Sequence, residues 1–299
     1  MIVRFFVDRH GVELLTRWWP QADPVGVVAI SHGASEHSGR YDRFARALNA
    51  AGLSACALDH RGHGLTARSS GPGTMGPGGG DALIDDLDEL LDRAVVDQPD
   101  IPIVLFGHSM GSLMALAYAT RHADRLAALV LCGFPSPVEG AEAQADLFKE
   151  AAAAGMRDSP LEGPNPFNEP FAPARTEFDW LSRDPDEVDR YIADPLCGPG
   201  MPLTYGFVLD MLTVITPALQ PEALAAITCP VLVIAGDRDP AAGMGEHASG
   251  LARALRDVGV QPVDCCLYPG ARHELLNEAN RDEVTGDVVE WLLGIEMGV

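Results

Sequence analysis

A serine between two glycines stands where a nucleophile is expected. Ser109 is the centre of a G-x-S-x-G motif that reads Gly107-His108-Ser109-Met110-Gly111. An apolar run, 103–106, precedes the motif, and a helix-like stretch, 112–121, follows it. A strand, a tight turn and a helix are the context of a nucleophile elbow, whose glycines let the chain turn sharply enough to expose the hydroxyl. The alternative is an ordinary turn that contains a serine, so the motif alone is weak.

An acid pair and a histidine follow later in the chain, each just after a predicted strand. Asp237 and Asp239 come after the apolar run 230–235, and His273 comes after the run 263–268. Sheets of parallel strands place ligands at the carboxyl ends of their strands, so these residues are expected near Ser109. Serine, acid and histidine in this order form one of the known triad arrangements. We therefore predict a catalytic triad.

The chemistry gives each member a role. The Ser109 hydroxyl must lose a proton as it attacks, and His273 would accept that proton and return it to the leaving group. A buried carboxylate would fix the tautomer of the imidazole and stabilise its charged form. Pro240 favours an extended Asp239, which suits a side chain that reaches another loop, whereas Asp237 could tie the turn instead. We choose Asp239 as the acid and keep Asp237 as the alternative.

Two hydrogen-bond donors are also needed for the oxyanion that develops on the attacked carbonyl. The first is expected from the residue after the nucleophile, the backbone amide of Met110. The second is expected from a loop that follows an earlier strand. The loop after the apolar run 27–30 has His-Gly and then a small residue, so we nominate the backbone amide of Ala34.

The same loop also carries several polar side chains. We interpret His32 as a structural histidine that braces the loop. Glu36, His37 and Arg40 either form a polar network at the mouth of the pocket or cap the helix that follows. The sequence leaves both interpretations open.

The order of the predicted elements indicates an α/β protein. Strand-like apolar runs alternate with helical stretches up to about residue 133 and again from 230 to 293. Such alternation implies a mostly parallel sheet with helices on both faces. A chain of 299 residues, 47% of them hydrophobic, fits one α/β catalytic domain with an insertion.

Between residues 134 and 207 the alternation stops. Nine of the nineteen aromatic residues fall in this span. An insertion after the strand 126–132 would arch over Ser109, where its rings would line an apolar pocket or pack in a small core of their own. We therefore predict a catalytic core of residues 1–133 and 208–299, and an inserted helical cap, or lid, of residues 134–207.

Two segments are interpreted as surface features. Six acidic residues lie between positions 81 and 92 on a predicted amphipathic helix, 81–96, and a solvated helix face is the favoured interpretation. The Gly- and Pro-rich segment 69–80 is expected to be a flexible surface connection.

Charge and composition exclude several classes of protein. A net charge of −22 argues against nucleic acid as a partner and against electrostatic docking on anionic lipid. The sequence has neither a transmembrane stretch nor a signal peptide, so we expect a cytoplasmic location. The six cysteines and nine histidines show no zinc spacing, so no metal site is expected. Cys56, Cys132, Cys265 and Cys266 fall in predicted strands and are expected to be buried.

Several longer motifs resemble those of a known family, the monoacylglycerol lipase-like branch (serine aminopeptidase S33, or lysophospholipase-type) of the α/β-hydrolases. The resemblance covers nearly the whole chain, from about residue 12 to 293, and the segment 178–198 resembles the cap of bacterial members. The matching motifs are Ser31-His32-Gly33-Ala34 through Tyr41, Asp59-His60-Arg61-Gly62-His63-Gly64, Gly107 to Gly111, Gly236 to Pro240 and Tyr268-Pro269-Gly270-Ala271-Arg272-His273-Glu274.

The resemblance implies an α/β-hydrolase fold with a mobile cap over an acyl tunnel, and no cofactor. It aligns the triad acid with Asp239 and the oxyanion donors with Ala34 and Met110. It implies a serine hydrolase that forms an acyl-enzyme on Ser109 and cleaves carboxylic esters with an apolar acyl chain. Monoacylglycerols or lysophospholipids would be its substrates.

Three alternatives stay open on the same residues. The chain could be a small-ester carboxylesterase, an amide or peptide hydrolase with the same triad, or a catalytically silent binding module. The partner expected in the enzymatic cases is a small ester or lipid. Transient contact of the cap with a membrane or micelle, and the oligomeric state, are also open.

Overall fold

Eight strands form a single sheet in the computed structural model, which describes residues 1–96, 100–135, 146, 148–161 and 166–295. The strand order is β1-β2-β4-β3-β5-β6-β7-β8. Only the pairs β1–β2 and β2–β4 are antiparallel, so six of the strands form a parallel core. The strands are β1 Ile2–Val7, β2 Glu13–Trp19, β3 Val27–Ser31, β4 Ser54–Leu58, β5 Ile103–His108, β6 Ala128–Cys132, β7 Val231–Gly236 and β8 Val263–Tyr268.

Helices cover both faces of this sheet. Because side chains alternate along a strand, Val104 and Phe106 of β5 face one apolar cluster while Leu105 faces the other. Helices α1 and α9 pack in the first cluster, and α3, α4, α6 and α8 pack in the second. The α-helices among the described residues are α1 Asp42–Ala50, α2 Ala67–Ser70, α3 Asp81–Ala94, α4 Met110–Ala119, α5 Pro185–Ala193, α6 Tyr205–Ala218, α7 Pro221–Leu224, α8 Glu246–Asp257 and α9 Arg281–Gly294. The predicted α/β class is confirmed.

The chain between β6 and β7 lacks further strands of the sheet in its described part. Short helical turns and α5 occupy it up to residue 204, and then α6 returns to the core. The predicted end of the cap at residue 207 therefore falls inside α6. Residues 136–145, 147 and 162–165 of the predicted cap lie outside the described residues. None of the described helices is both long enough and apolar enough to cross a membrane.

The prediction of a fully solvated acidic face on α3 is wrong at one position. Asp86 is completely buried, and it accepts a hydrogen bond of 2.6 Å from Nε of the equally buried Arg61. Arg61 also pairs with Asp8, at the end of β1. Burial and the second carboxylate raise the pKa of Asp86 to about 8, although Arg61 acts in the opposite direction. The cluster of Asp8, Arg61 and Asp86 ties α3 to the amino-terminal hairpin.

Two smaller expectations also need correction. The segment 69–80 is not a loose surface connection, because Met75 is buried in the core and Gly73 packs against the Pro202 carbonyl. Cys56 and Cys132 are buried as predicted, but Cys265 and Cys266 are only half-buried. The reason is that β8, which carries them, is the outermost strand and has one open edge.

Candidate active site

The turn between β5 and α4 holds Ser109 in an unusual backbone conformation. Its φ of 52° and ψ of −122° are rare for a residue with a side chain, and such strain costs about 1–3 kcal/mol. Backbone hydrogen bonds on both sides offset that cost. The Ser109 amide donates to the Cys132 carbonyl at 2.9 Å, and the Ser112 amide donates to the Ser109 carbonyl at 2.8 Å. The predicted elbow is therefore present.

Glycines allow the elbow to pack closely against the neighbouring loop. A Cβ atom at Gly111 would overlap the carbonyl oxygen of Ser31, at the end of β3. A Cβ atom at Gly33 would lie 2.8 Å from Oε1 of Glu36 and 3.2 Å from the Cβ of Ser109. Only glycine at these two positions lets β3, α4 and the serine approach so closely.

The histidine and one of the two candidate acids meet at the ends of β7 and β8. His273 Nδ1 lies 2.8 Å from Oδ2 of Asp239, and both side chains are buried. The other oxygen of Asp239 accepts from the amides of Ala241 at 2.9 Å and Ala242 at 3.2 Å. Asp237 instead accepts from the Gly270 amide at 2.6 Å, which ties the turn. Asp239, not Asp237, is the carboxylate that contacts the histidine.

The carboxylate also determines where His273 carries its proton. A carboxylate only accepts hydrogen bonds, so Nδ1 donates and Nε2 is left as an acceptor. Burial lowers the pKa of His273, but the Asp239 carboxylate, with Glu274 and Glu36 nearby, outweighs burial, and the pKa lies above its ordinary value. Ser109 and His273 line the same cavity, with no hydrogen bond between them in the described structure. This contact is often long in unliganded enzymes and shortens when substrate binds.

Two aromatic rings flank the catalytic imidazole candidate. The ring of His108 lies 4.8 Å from that of His273, and the ring of Trp180 lies 4.9 Å from it. Burial and the neighbouring His273 lower the pKa of His108 to about 4, so His108 stays neutral. Trp180 was not singled out from the sequence as a neighbour of the histidine.

The two amides predicted to bind the oxyanion belong to residues of the same cavity wall. Ala34 and Met110 both line it, and neither amide donates a hydrogen bond to another residue that the structure describes. The prediction that His32 braces the loop is confirmed. Its Nε2 accepts from the His60 amide at 2.9 Å, which leaves the proton on Nδ1 to donate to the Gly33 carbonyl at 2.8 Å.

The acidic and basic side chains of this loop form a buried network. Glu36 accepts from the Gly33 amide at 2.6 Å and from Arg40 at 2.7 Å. Arg40 also makes two hydrogen bonds, of 2.6 and 2.7 Å, with Glu274. Burial alone would raise the pKa of Glu36, but the Arg40 guanidinium and the hydrogen bond from the Tyr41 hydroxyl help to lower it to about 2. The network interpretation therefore holds for Glu36 and Arg40, with Glu274 as a partner that the sequence analysis missed.

His37 fits the alternative interpretation from the sequence, because its side chain caps the helical turn that follows it. Its Nδ1 accepts from the Gly39 amide at 3.1 Å, and its Nε2 lies 2.9 Å from Oδ2 of Asp194 in the predicted cap. His37, Asp194 and Cys197 place their donor atoms within 4.8 Å of one another, so they are a candidate metal site among the described residues. A metal on Nε2 would require a proton on Nδ1, which the Gly39 amide opposes. Burial also raises the pKa of the Cys197 thiol, so the group suits a hydrogen bond between loop and cap better than a metal ion.

A cavity of about 450 Å³ opens above Ser109 and His273. Its wall is mostly apolar and is built from α4, α6 and the predicted cap. Leu161 and Leu203 of the predicted cap are among the residues that line it. Five of the nine aromatic residues counted in the predicted cap belong to the wall: Phe148, Phe167, Phe178, Trp180 and Tyr191.

Comparisons with known proteins give consistent results. The chain matches the family described as serine aminopeptidase, S33, over residues 22–280. It is 34% identical over 280 residues to the monoacylglycerol lipase of Mycolicibacterium smegmatis, a match that covers 92% of this chain and 91% of that protein. It is 32% identical over 285 residues to the monoglyceride lipase of Homo sapiens, with coverage of 94% and 86%. Among solved structures, a carboxyl esterase from Bacillus coagulans in complex with glycerol superposes with a TM-score of 0.90 at 30% identity, over 98% of both chains.

Proposed function

The chain belongs to the serine aminopeptidase S33 family of α/β-hydrolases and is a serine ester hydrolase; on that premise, we propose that it is a monoacylglycerol lipase. The observation that carries the proposal is that Ser109 and His273, which is paired with Asp239, line one large and mostly apolar cavity. Relatives named monoacylglycerol or monoglyceride lipase, at 34% and 32% identity, support the same substrate class. Lysophospholipids are the next candidates.

In the proposed mechanism, Ser109 attacks the ester carbonyl while Nε2 of His273 accepts its proton. The resulting imidazolium is stabilised by Asp239, and it then gives its proton to the departing alcohol. The acyl group remains on Ser109 until a water molecule, activated by the same histidine, releases the fatty acid. The raised pKa of His273 suits a group that must hold a proton transiently.

Ala34 and Met110 are the proposed oxyanion donors. Their amides are unpaired within the described structure, so they are available for a ligand oxygen. Met110 is also the first residue of α4, whose ten residues direct the positive end of the helix dipole towards the same point. Both features favour the negative charge that develops on the attacked carbonyl oxygen.

We further propose that residues 134–207 form the cap over this site, with the core in residues 1–133 and 208–299. The five cap aromatics in the cavity wall support a role in holding the acyl chain. A cytoplasmic location and contact between the cap and a lipid surface stay predictions.

A carboxylesterase that prefers short acyl groups is the second candidate. The superposition on a carboxyl esterase at a TM-score of 0.90 favours it. The catalytic residues would be the same, so only the preference for acyl-chain length separates the two candidates.

Hydrolysis of p-nitrophenyl esters from acetate to palmitate tests the proposal, with the Ser109→Ala variant in parallel. We expect activity that depends on Ser109 and is highest with medium or long chains, followed by release of fatty acid from monoacylglycerols faster than from lysophospholipids. Activity confined to acetate and butyrate would select the second candidate. Hydrolysis that persists in Ser109→Ala would contradict the mechanism.

A further inference from the structure

Ser35, next to the proposed oxyanion donor Ala34, has a strained backbone that the cap holds in place. Its φ is +53°, a left-handed conformation that a residue with a side chain adopts only at some cost. Three hydrogen bonds join it to the cap. Its hydroxyl donates to the Met201 carbonyl at 2.8 Å, and its own carbonyl accepts from the Gly198 amide at 2.8 Å and the Tyr191 hydroxyl at 3.1 Å.

These contacts lie on one side of Ala34, and a second anchor lies on the other. The amide of Gly33 donates to buried Glu36 at 2.6 Å. Ala34 therefore sits between two fixed residues, one held by the core and the other by the cap. Since the Ala34 amide itself has no partner among the described residues, its direction depends on these two neighbours.

The same part of the cap is also fastened to the loop that carries the catalytic histidine. The Glu274 amide donates to the Leu181 carbonyl at 2.8 Å, and Nε of Arg183 donates to Glu278 at 2.8 Å. The described stretch 178–201 thus bridges the oxyanion loop and the histidine loop. This stretch therefore fixes the position of both loops in addition to covering the site.

We propose that Ser35 and Tyr191 are positioning residues for catalysis, through which the cap fixes the Ala34 amide in the direction that the oxyanion requires. The inference rests on the proposed function, because it assigns Ala34 as an oxyanion donor. It predicts that the cap contributes to the chemical step itself, in addition to any effect on substrate entry or chain length.

Two variants test the proposal, and each removes one side-chain hydrogen bond from Ser35. Tyr191→Phe removes the hydroxyl that donates to the Ser35 carbonyl. Ser35→Gly removes the bond to Met201 and also relieves the strain at φ +53°, so it should not destabilise the fold through backbone strain. Tyr205→Phe is the matched control, because it makes the same change in a tyrosine that does not line the cavity.

The readouts are kcat and KM for p-nitrophenyl butyrate and the Kd of an alkylboronic acid, whose tetrahedral adduct on Ser109 places an oxygen in the oxyanion site. For each variant we expect kcat to fall about threefold to tenfold, as for the loss of one hydrogen bond, with KM changed less than twofold. The Kd for the boronic acid should rise by the same factor as kcat falls. Tyr205→Phe should match the wild type in all three.

Three results would overturn the inference: an unchanged kcat in both variants, a lower kcat with an unchanged boronic acid Kd, or an equal loss in Tyr205→Phe. The Ser109→Ala variant, measured in the same series, shows whether such a result contradicts only the role of Ser35 and Tyr191 or also the proposed function. If that variant still hydrolyses the ester, the assignment of the nucleophile is wrong, and the inference is overturned with it. If it is inactive, the result for Ser35 and Tyr191 bears on the inference alone.

Discussion

Replacement of Asp239 by asparagine should nearly abolish turnover while the same change at Asp237 should have little effect. The two residues are two positions apart, and both follow β7. They differ in what their oxygens contact. Asp239 accepts from His273 and from two backbone amides, whereas Asp237 accepts from the Gly270 amide and is partly exposed. The pair therefore provides a matched comparison of one chemical change in two environments.

The expected magnitude follows from the hydrogen bonds around Asp239. Asparagine at this position has two possible orientations. In the first, its oxygen still accepts hydrogen bonds from the amides of Ala241 and Ala242. Its NH₂ group then donates to Nδ1 of His273, so the ring proton must move to Nε2. In that tautomer the ring cannot accept a proton from Ser109. In the second orientation, the asparagine oxygen accepts from Nδ1 of His273 and restores the tautomer with a free Nε2. The two buried amides then have no acceptor, which costs about 1–3 kcal/mol for each amide.

Loss of the negative charge adds a second cost. A hydrogen bond to a charged group contributes about 1.5–3 kcal/mol, and the imidazolium formed during catalysis would lose this contribution. The two costs together are at least about 3.5 kcal/mol, which lowers kcat by more than about 300-fold. At Asp237 an asparagine oxygen can still accept from Gly270, so kcat should change less than about threefold.

Steady-state kinetics with p-nitrophenyl butyrate would measure both variants, with circular dichroism as the control for folding. A folded Asp239→Asn variant within tenfold of the wild-type kcat would refute the assignment. A larger loss in Asp237→Asn than in Asp239→Asn would transfer the role to Asp237.

Three further predictions concern protonation. First, kcat/KM should fall as the pH drops through a pKa above the ordinary value of about 6.5, since protonated His273 cannot act as a base; a pH profile with its acidic limb below pH 6 would contradict this. Second, burial lowers the pKa of His63 to about 3, so the folded protein binds one proton fewer than the unfolded chain below about pH 6.5. In the wild type, the free energy of unfolding should therefore fall between pH 7 and pH 5 as His63 binds a proton only in the unfolded chain. Urea titration should show that this fall is about 2 kcal/mol smaller in His63→Asn. Equal falls in the two proteins would contradict the prediction. Third, Asp86 should make stability depend on pH in the opposite direction. Its pKa is about 8 in the folded protein, so the folded protein keeps a proton that the unfolded chain loses above about pH 4, and stability is lost as the pH rises from 4 to 8. Asp86→Asn should reduce that decline in Tm, and a decline as steep as in wild type would show that Asp86 is ionised throughout.

The elements that carry the proposed triad could be predicted because their signals are local. The apolar run 103–106 predicts the strand before Ser109, which extends over Ile103–His108. The apolar run 230–235 predicts the strand before the acid pair, which extends over Val231–Gly236. In each case an apolar run, a turn rich in glycine and a helical period agree with one another over about twenty residues. Such agreement leaves few alternative folds.

Contacts between distant residues could not be predicted in the same way. Arg40 and Glu274 are 234 positions apart, and no local pattern links them. The bonds between Ser35 and the cap likewise join residues more than 150 positions apart. The burial of Asp86 did leave a signal in the sequence. It lies three residues after Leu83 and four before Leu90, which places it on the apolar stripe of α3 and not on the acidic face.

The cluster of Asp8, Arg61 and Asp86 limits how many amino-terminal residues can be deleted without loss of stability. Most side chains of β1 are exposed, so deletion of residues 1–7 removes an outer strand with little buried surface. Asp8 is different, because its carboxylate accepts from the amides of His10 and Val12 at 2.8 Å and pairs with buried Arg61. A truncation that includes Asp8 would break a buried ion pair, for which about 3–5 kcal/mol is typical. A shortened expression variant, or a fusion joined at this end, should therefore begin before Asp8.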